Sequence, residues 1–215
     1  MHPSKKWHYE TLGKAAVETL KRNGFDAVYV DDSDAARQVI LSMIPPGASV
    51  GFGGSVTLGE IGLLDQLHSA DCRLINPPWV EGATPQEQRL SMRREAMHAD
   101  VFLTGTNAIT LDGKLVNTDA TGNRLAGMTF GPNKSIVVAG ANKIVRTLDE
   151  ALQRVSRVAA PANAKRLHCD TPCAVTGICS DCRSADRICN ATLILHKKTR
   201  SLEIAVVIVG EELGL

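Results

Sequence analysis

Several short runs in this chain are apolar at consecutive positions, and they constrain its fold more than any other feature. They are "DAVYVD" (26–31), "ASVGF" (48–52), "CRLIN" (72–76), "ADVFLTG" (99–105) and "SIVVAG" (135–140). "ATLILHKK" (191–198) and "EIAVVIVG" (203–210) are read as the last two strands. A strand that is apolar on both sides must be covered on both sides. Parallel sheets with helices on each face meet that condition. The expected fold class is therefore α/β, a mainly parallel sheet flanked by helices.

The intervening segments carry helix signals. Residues 5–23 hold a loose apolar stripe that includes Trp7, Leu12 and Leu20, and Asn23-Gly24 is a stop. Ser33 is placed to cap a second helix, and Pro45, Pro46 and Gly47 end it. Thr57 and Glu60 have capping-box spacing, as do Thr84 and Glu87 with Pro85 at the first helical position. Thr147 and Glu150 repeat the pattern ahead of Leu148, Ala151, Val155 and Ala159. "AITLDGKLVNTD" (108–119) breaks the alternation. It is expected to be a hairpin turning at Asp112-Gly113, at the mouth of the domain or on a sheet edge.

Composition excludes some functions. The 215 residues are 44% apolar and 22% charged with a net charge of +1, an ordinary globular balance without the basic face of a nucleic-acid binder. Aromatic residues, at 4%, offer no platform for a flavin or a base. No apolar run is long enough to span a bilayer, and Glu10, Lys14, Glu18 and Lys21 interrupt any signal-type core at the start. A cytoplasmic location is expected, and a homo-oligomer is open.

Two stretches promise a ligand site. "VGFGGSVTLG" sets Gly53, Gly54 and Ser55 between a strand and a helix start, where free N–H groups favour an anion and glycine admits close approach. Ser55 and Thr57 can add hydroxyl donors. A tight packing turn is the plainer alternative, since neither the dinucleotide nor the phosphate-loop spacing is present. "TGTNAITLDGKLVNTDATGNRLAG" then gathers Asp119, Asn123 and Arg124. Arg124 can grip a carboxylate or phosphate, and Asp119 can serve as a general base or orient Arg124. Plain turn chemistry is again the alternative.

Five of the six cysteines fall between Cys169 and Cys189, in "CDTPCAVTGICSDCRSADRIC". Clustered thiols in a reducing compartment are metal ligands or redox groups more often than disulfides. Cys173, Cys179, Cys182 and Cys189 are the expected ligands, with Cys169 spare and His168 and His196 poorer candidates. Lys165, Arg166, Arg183 and Arg187 are expected to favour thiolate. The spacing fits neither a zinc ribbon nor the bacterial ferredoxin run. An iron–sulfur cluster, zinc, and reduced or paired thiols all remain open.

"VGFGGSVTLGEIGLL", "ITLDGKLVNTDATGNRLAGMTFGP", "VVAGANKIV" and "TPCAVTGICSDCRSADRICN" together resemble the LUD-domain (lactate-utilisation) family, in its short members with a cysteine-rich C-terminal segment. The resemblance implies a fold similar to the ribose-5-phosphate isomerase, glucosamine-6-phosphate deaminase and CoA-transferase superfamily. It also implies a link to L-lactate oxidation, often in complexes with iron–sulfur subunits. Residues 1–163 would form the first part of the domain, 164–190 a cysteine-rich insert, and 191–215 final strands returning to the domain. On this reading the chain is a redox or electron-transfer accessory with a 4Fe-4S cluster, a small anionic metabolite at Gly53–Ser55 and a redox partner protein. One alternative is an isomerase- or transferase-like enzyme acting on a phosphorylated or CoA-linked metabolite. There Asp119 or Glu60 would move a proton beside a structural zinc. A non-catalytic redox-sensing module is the other.

Overall fold

The apolar runs become the strands of one sheet, and the polar hairpin seeds another. In this computed structural model residues 1–215 are described, apart from the side chains of residues 79, 81, 82 and 86. The chain opens with α1 (Pro3–Arg22), β1 (Asp26–Val30), α2 (Ser33–Ser42), β2 (Ala48–Phe52), α3 (Val56–Glu60), α4 (Leu63–Leu67) and β3 (Cys72–Leu74). Next come α5 (Pro78–Ala83), α6 (Gln86–Glu95), β4 (Val101–Gly105), β5 (Ala108–Thr110), β6 (Leu115–Asp119), α7 (Asn123–Gly127) and β7 (Lys134–Gly140). It closes with β8 (Ile144–Val145), α8 (Leu148–Arg154), α9 (Ala160–Arg166), α10 (Pro172–Thr176), β9 (Ala191–Leu195) and β10 (Glu203–Val209).

The main sheet has six strands in the order β1-β10-β7-β4-β2-β3, all parallel. The alternation along each central strand explains the unbroken apolar runs. Ala205, Val207 and Val209 of β10 join Ile136 and Val138 of β7 under α2, α3 and α4. Ile204, Val206 and Ile208 join Val137 and Ala139 on the other face, under α1 and residues of the second sheet. The expected α/β class with a parallel, helix-flanked sheet is what forms. Among the described residues no helix is long and apolar enough to cross a membrane.

The hairpin lies on neither edge of that sheet. It forms the centre of a second, four-stranded sheet in the order β8-β5-β6-β9. Of the two final strands, only β10 returns to the main sheet. β9 pairs antiparallel with β6, Leu115 opposite Leu195 and Asp119 opposite Ala191. The hairpin turn is also wider than a two-residue Asp-Gly turn. Residues 111–114 connect the strands, Gly113 takes φ +81°, and the Asp112 carboxylate accepts from Thr110 Oγ1 and Lys114 Nζ.

Several caps shift by one or two residues. Asp32, not Ser33, caps α2 by accepting from Ala35 N at 2.9 Å, while Ser33 Oγ donates to Glu211 Oε2 at 2.5 Å. Ser55, not Thr57, caps α3. Thr84 Oγ1 donates back to Val80 O at 2.7 Å and leaves the cap position of α6 to Pro85. Thr147 caps α8 as expected, accepting from Glu150 N at 3.2 Å. A π turn over Val155–Ala159 then carries α8 into α9.

Candidate functional site

From β2 the chain steps outward to β3, whereas from β4 it steps the opposite way to β7. The neighbouring carboxyl ends of β2 and β4 therefore diverge, and an open α/β sheet leaves a ligand crevice at such a point. A cleft of about 240 Å3 lies there, lined by Gly53–Val56 after β2, Gly105–Asn107 after β4 and Thr118–Thr121 at the end of β6. That volume suits a small metabolite.

The glycines are needed for the turn itself. A Cβ on Gly53 would come 2.7 Å from Thr104 Oγ1 and 2.9 Å from the Phe102 ring, and one on Gly105 would come 2.7 Å from Ser55 Oγ. Gly54 adopts φ +72°, which favours glycine. Asn76, fully buried, fixes the start of the turn. Its Oδ1 accepts from Phe52 N at 2.7 Å and its Nδ2 donates to Phe52 O at 2.9 Å, taking the place of a further β3 residue. Gly53, Gly54 and Ser55 line the cleft. Thr57 does not line it. It is fully buried, and its hydroxyl serves a lysine instead.

Asp119, Asn123 and Arg124 come together on the opposite wall. Arg124 Nε donates to Asp119 Oδ1 at 2.8 Å, and Nη2 donates to the same oxygen. Nη2 also reaches Thr118 O at 2.8 Å and Asn107 Oδ1 at 3.1 Å. The two side chains are 14% and 10% exposed. Of the two roles open to Asp119, this geometry favours the one that orients Arg124. Asp119 Oδ2 is buried with no hydrogen-bond partner. Arg124 Nη1 has none among the described residues.

The residue that sequence reasoning missed is Lys143. It follows β7 in "AGANKIV", lines the cleft and is only 4% exposed. Its Nζ donates to Thr57 Oγ1 at 3.0 Å, and no carboxylate pairs with it among the described residues. Burial pushes its pKa down to about 7, the Arg154 and Arg124 cations push the same way, and Glu60 opposes them. The available signal was a lone lysine in an apolar stretch at the carboxyl end of a strand. Arg93 and Arg166 also line the cleft. Among the described residues the one acidic side chain lining it is Asp119, which Arg124 already occupies.

The cysteine segment borders this cleft through Ile188 and Cys189. All six thiols are free; Cys179 is exposed and the others are half-buried. Cys189 lies within electrostatic reach of Cys179 and Cys182, whereas Cys173 neighbours Cys169 and sits 3.4 Å from Thr171 Oγ1. The expected set of Cys173, Cys179, Cys182 and Cys189 is thus not gathered at one point. Among the described residues no group of three or more His, Cys, Asp or Glu is arranged to hold a metal ion. At Cys189 and Cys169 the nearby cations do not dominate either. Burial pushes Cys189 and Cys169 up, and Arg187 and Arg166 only partly offset it.

No curated protein matches this chain. A crystal structure of a DUF162 family protein from Deinococcus radiodurans, at 1.70 Å resolution, is similar with a TM-score of 0.55 at 14% identity. The match covers 94% of this chain and 98% of that one, and at such identity it speaks for the fold alone. A sequence model of the LUD domain matches residues 13–209, from within α1 to the end of β10. Both sheets, and all residues lining the cleft except Leu215, fall inside that match, and the chain belongs to the LUD-domain family.

Proposed function

We propose that this chain binds a small carboxylate or phosphate metabolite in the cleft between Gly53–Ser55 and Arg124, and serves lactate utilisation as a redox or electron-transfer accessory. One observation carries the binding half: Arg124, Lys143 and Arg166 line a small crevice in which, among the described residues, Asp119 is the one acidic side chain and is held by Arg124. Arg124 is pre-oriented by Asp119 and keeps Nη1 to donate to one oxygen of an anionic ligand. Titration calorimetry with L-lactate, pyruvate and inorganic phosphate tests this half. At least one should bind, and Arg124→Gln should weaken it by about tenfold or more. If none binds, the reading fails.

The redox half rests on the chemistry of the cysteine segment and on its place at the rim of the cleft. Cys173, Cys179, Cys182 and Cys189 are the proposed ligands of an iron–sulfur cluster, with zinc the alternative. As the thiols stand they do not form that set, so the segment has to rearrange to bring the four together. Iron with acid-labile sulfide in anaerobically purified protein supports the cluster, and zinc alone supports a structural site. Neither removes the redox half and leaves the binding half intact. A second reading, an isomerase- or transferase-like enzyme, is favoured by the partnerless Oδ2 of Asp119 beside Arg124. In that case Asp119→Asn should abolish turnover of a sugar phosphate or CoA ester.

A further inference from the structure

We propose that Lys143 is a nucleophile that holds the carbonyl carbon of a small 2-oxo acid as a reversible imine. This deepens the binding reading above and rests on it.

A lysine buried for structural reasons is normally paired with a carboxylate, because an uncompensated ammonium is costly inside a protein. Lys143 is 4% exposed, yet its partner is the neutral Thr57 hydroxyl at 3.0 Å. Glu60, the acid that bears on it, is bound instead to Gly214 N at 2.5 Å. The surroundings hold the amine in place. Gly214 has φ +65°, and a Cβ there would meet Thr57 Oγ1 at 2.3 Å and Lys143 Nζ at 2.7 Å. Backbone thus lies directly against the pair, and Lys143 lines the cleft. Burial, and then the Arg154 and Arg124 cations, disfavour the charged form, which leaves much of the amine uncharged near neutrality.

The substrate class follows from two groups that share one small cleft. A free amine recognises a carbonyl, and the Nη1 of Arg124 recognises a carboxylate. A 2-oxo acid carries both on adjacent carbons. In the step itself the Nζ lone pair attacks the carbonyl carbon and a C–N bond forms as the C=O electrons move to oxygen. The two N–H protons leave with that oxygen as water, and C=N remains. No oxidant or reductant takes part.

The test is reductive trapping on the intact chain. Protein is mixed with pyruvate and sodium borohydride at neutral pH, and the adduct is located by peptide mass mapping. L-lactate, which has the carboxylate but no carbonyl, is the control. Labelling should concentrate at Lys143, on the order of a hundredfold above surface lysines, and be absent with lactate. Mapping on wild-type protein needs no variant to fold. Lys143→Arg and Thr57→Val, checked by circular dichroism, should lose and slow the labelling respectively. Pyruvate that binds by calorimetry but labels no lysine, or labels surface lysines alone, overturns the imine and leaves the binding reading standing. Neither binding nor labelling overturns both.

Discussion

Lys143 has one hydrogen bond, to Thr57, and 4% exposure, so its charge works against the fold whenever it is present. Its ordinary value of 10.5 falls to about 7 in the folded chain, through burial and then the charges of Arg154 and Arg124, against the pull of Glu60. Between those two values the unfolded chain holds a proton that the folded chain does not. Stability from this group therefore rises with pH across that window and is lost as pH falls through about 7. Lys143→Met keeps the length of the side chain and removes the titration. The variant should be more stable than wild type at about pH 6, by on the order of several kcal/mol, with the gap closing by about pH 10. Urea midpoints at both pH values check this, and a gap that stays constant would mean that the amine is not held as described. The local sequence offers only a lone lysine after an apolar strand. The lysine in "AGANKIV" resembles any strand-exit lysine until β7 and α3 bring it against Thr57.

Among the elements, the turn after β2 depends on Asn76. Its amide occupies both backbone groups of Phe52, the last residue before Gly53. Asn76→Ala leaves a buried N–H and a buried C=O of Phe52 without those partners. The expected loss is roughly 2–4 kcal/mol, together with weaker ligand binding as the glycine turn loosens. Denaturant unfolding and calorimetry on the same variant separate the two effects. What the sequence makes legible at this scale is whatever is local. The runs 26–31, 48–52, 99–105, 135–140 and 203–210 all appear as parallel strands, because being apolar on both faces is a property of the run itself. The glycine turn and the Asp119–Arg124 wall were legible for the same reason. The second sheet was not, because β9 pairs with a strand that lies more than 70 residues earlier in the chain. That choice is made by packing, with Thr118 and Thr192 hydroxyls 2.9 Å apart across the pair. Caps were mislaid where two candidate side chains stood side by side, as with Asp32 and Ser33, and tertiary partners such as Glu211 decided between them.

At the scale of the whole molecule, the two faces of the main sheet and the packing of α8 on β5 and β6 supply the buried apolar clusters. The cysteines between Cys169 and Cys189 belong to none of them. The segment is held instead by polar links, with Arg187 Nη1 donating to Cys182 O at 2.7 Å and Nε to Cys189 O at 3.2 Å. Val175 and Ile178, at 85% and 72% exposure, contribute nothing to a core. Sulfur chemistry and folding should therefore be separable in this protein. Cys179→Ser changes an exposed thiol outside every cluster and should alter unfolding free energy by no more than about 0.5 kcal/mol. The same variant should lose most of any iron or zinc that the wild type carries, because Cys179 is one of the four proposed ligands and the spare thiol, Cys169, neighbours Cys173 rather than Cys179. Metal analysis and denaturant unfolding of one preparation read both quantities. A loss of several kcal/mol would make the segment a structural clamp. Unchanged metal content would remove Cys179 from the ligand set. The expected pairing, metal lost and fold kept, follows from a cysteine segment that borders the cleft at Cys189 while the sheet behind it stands on its own core.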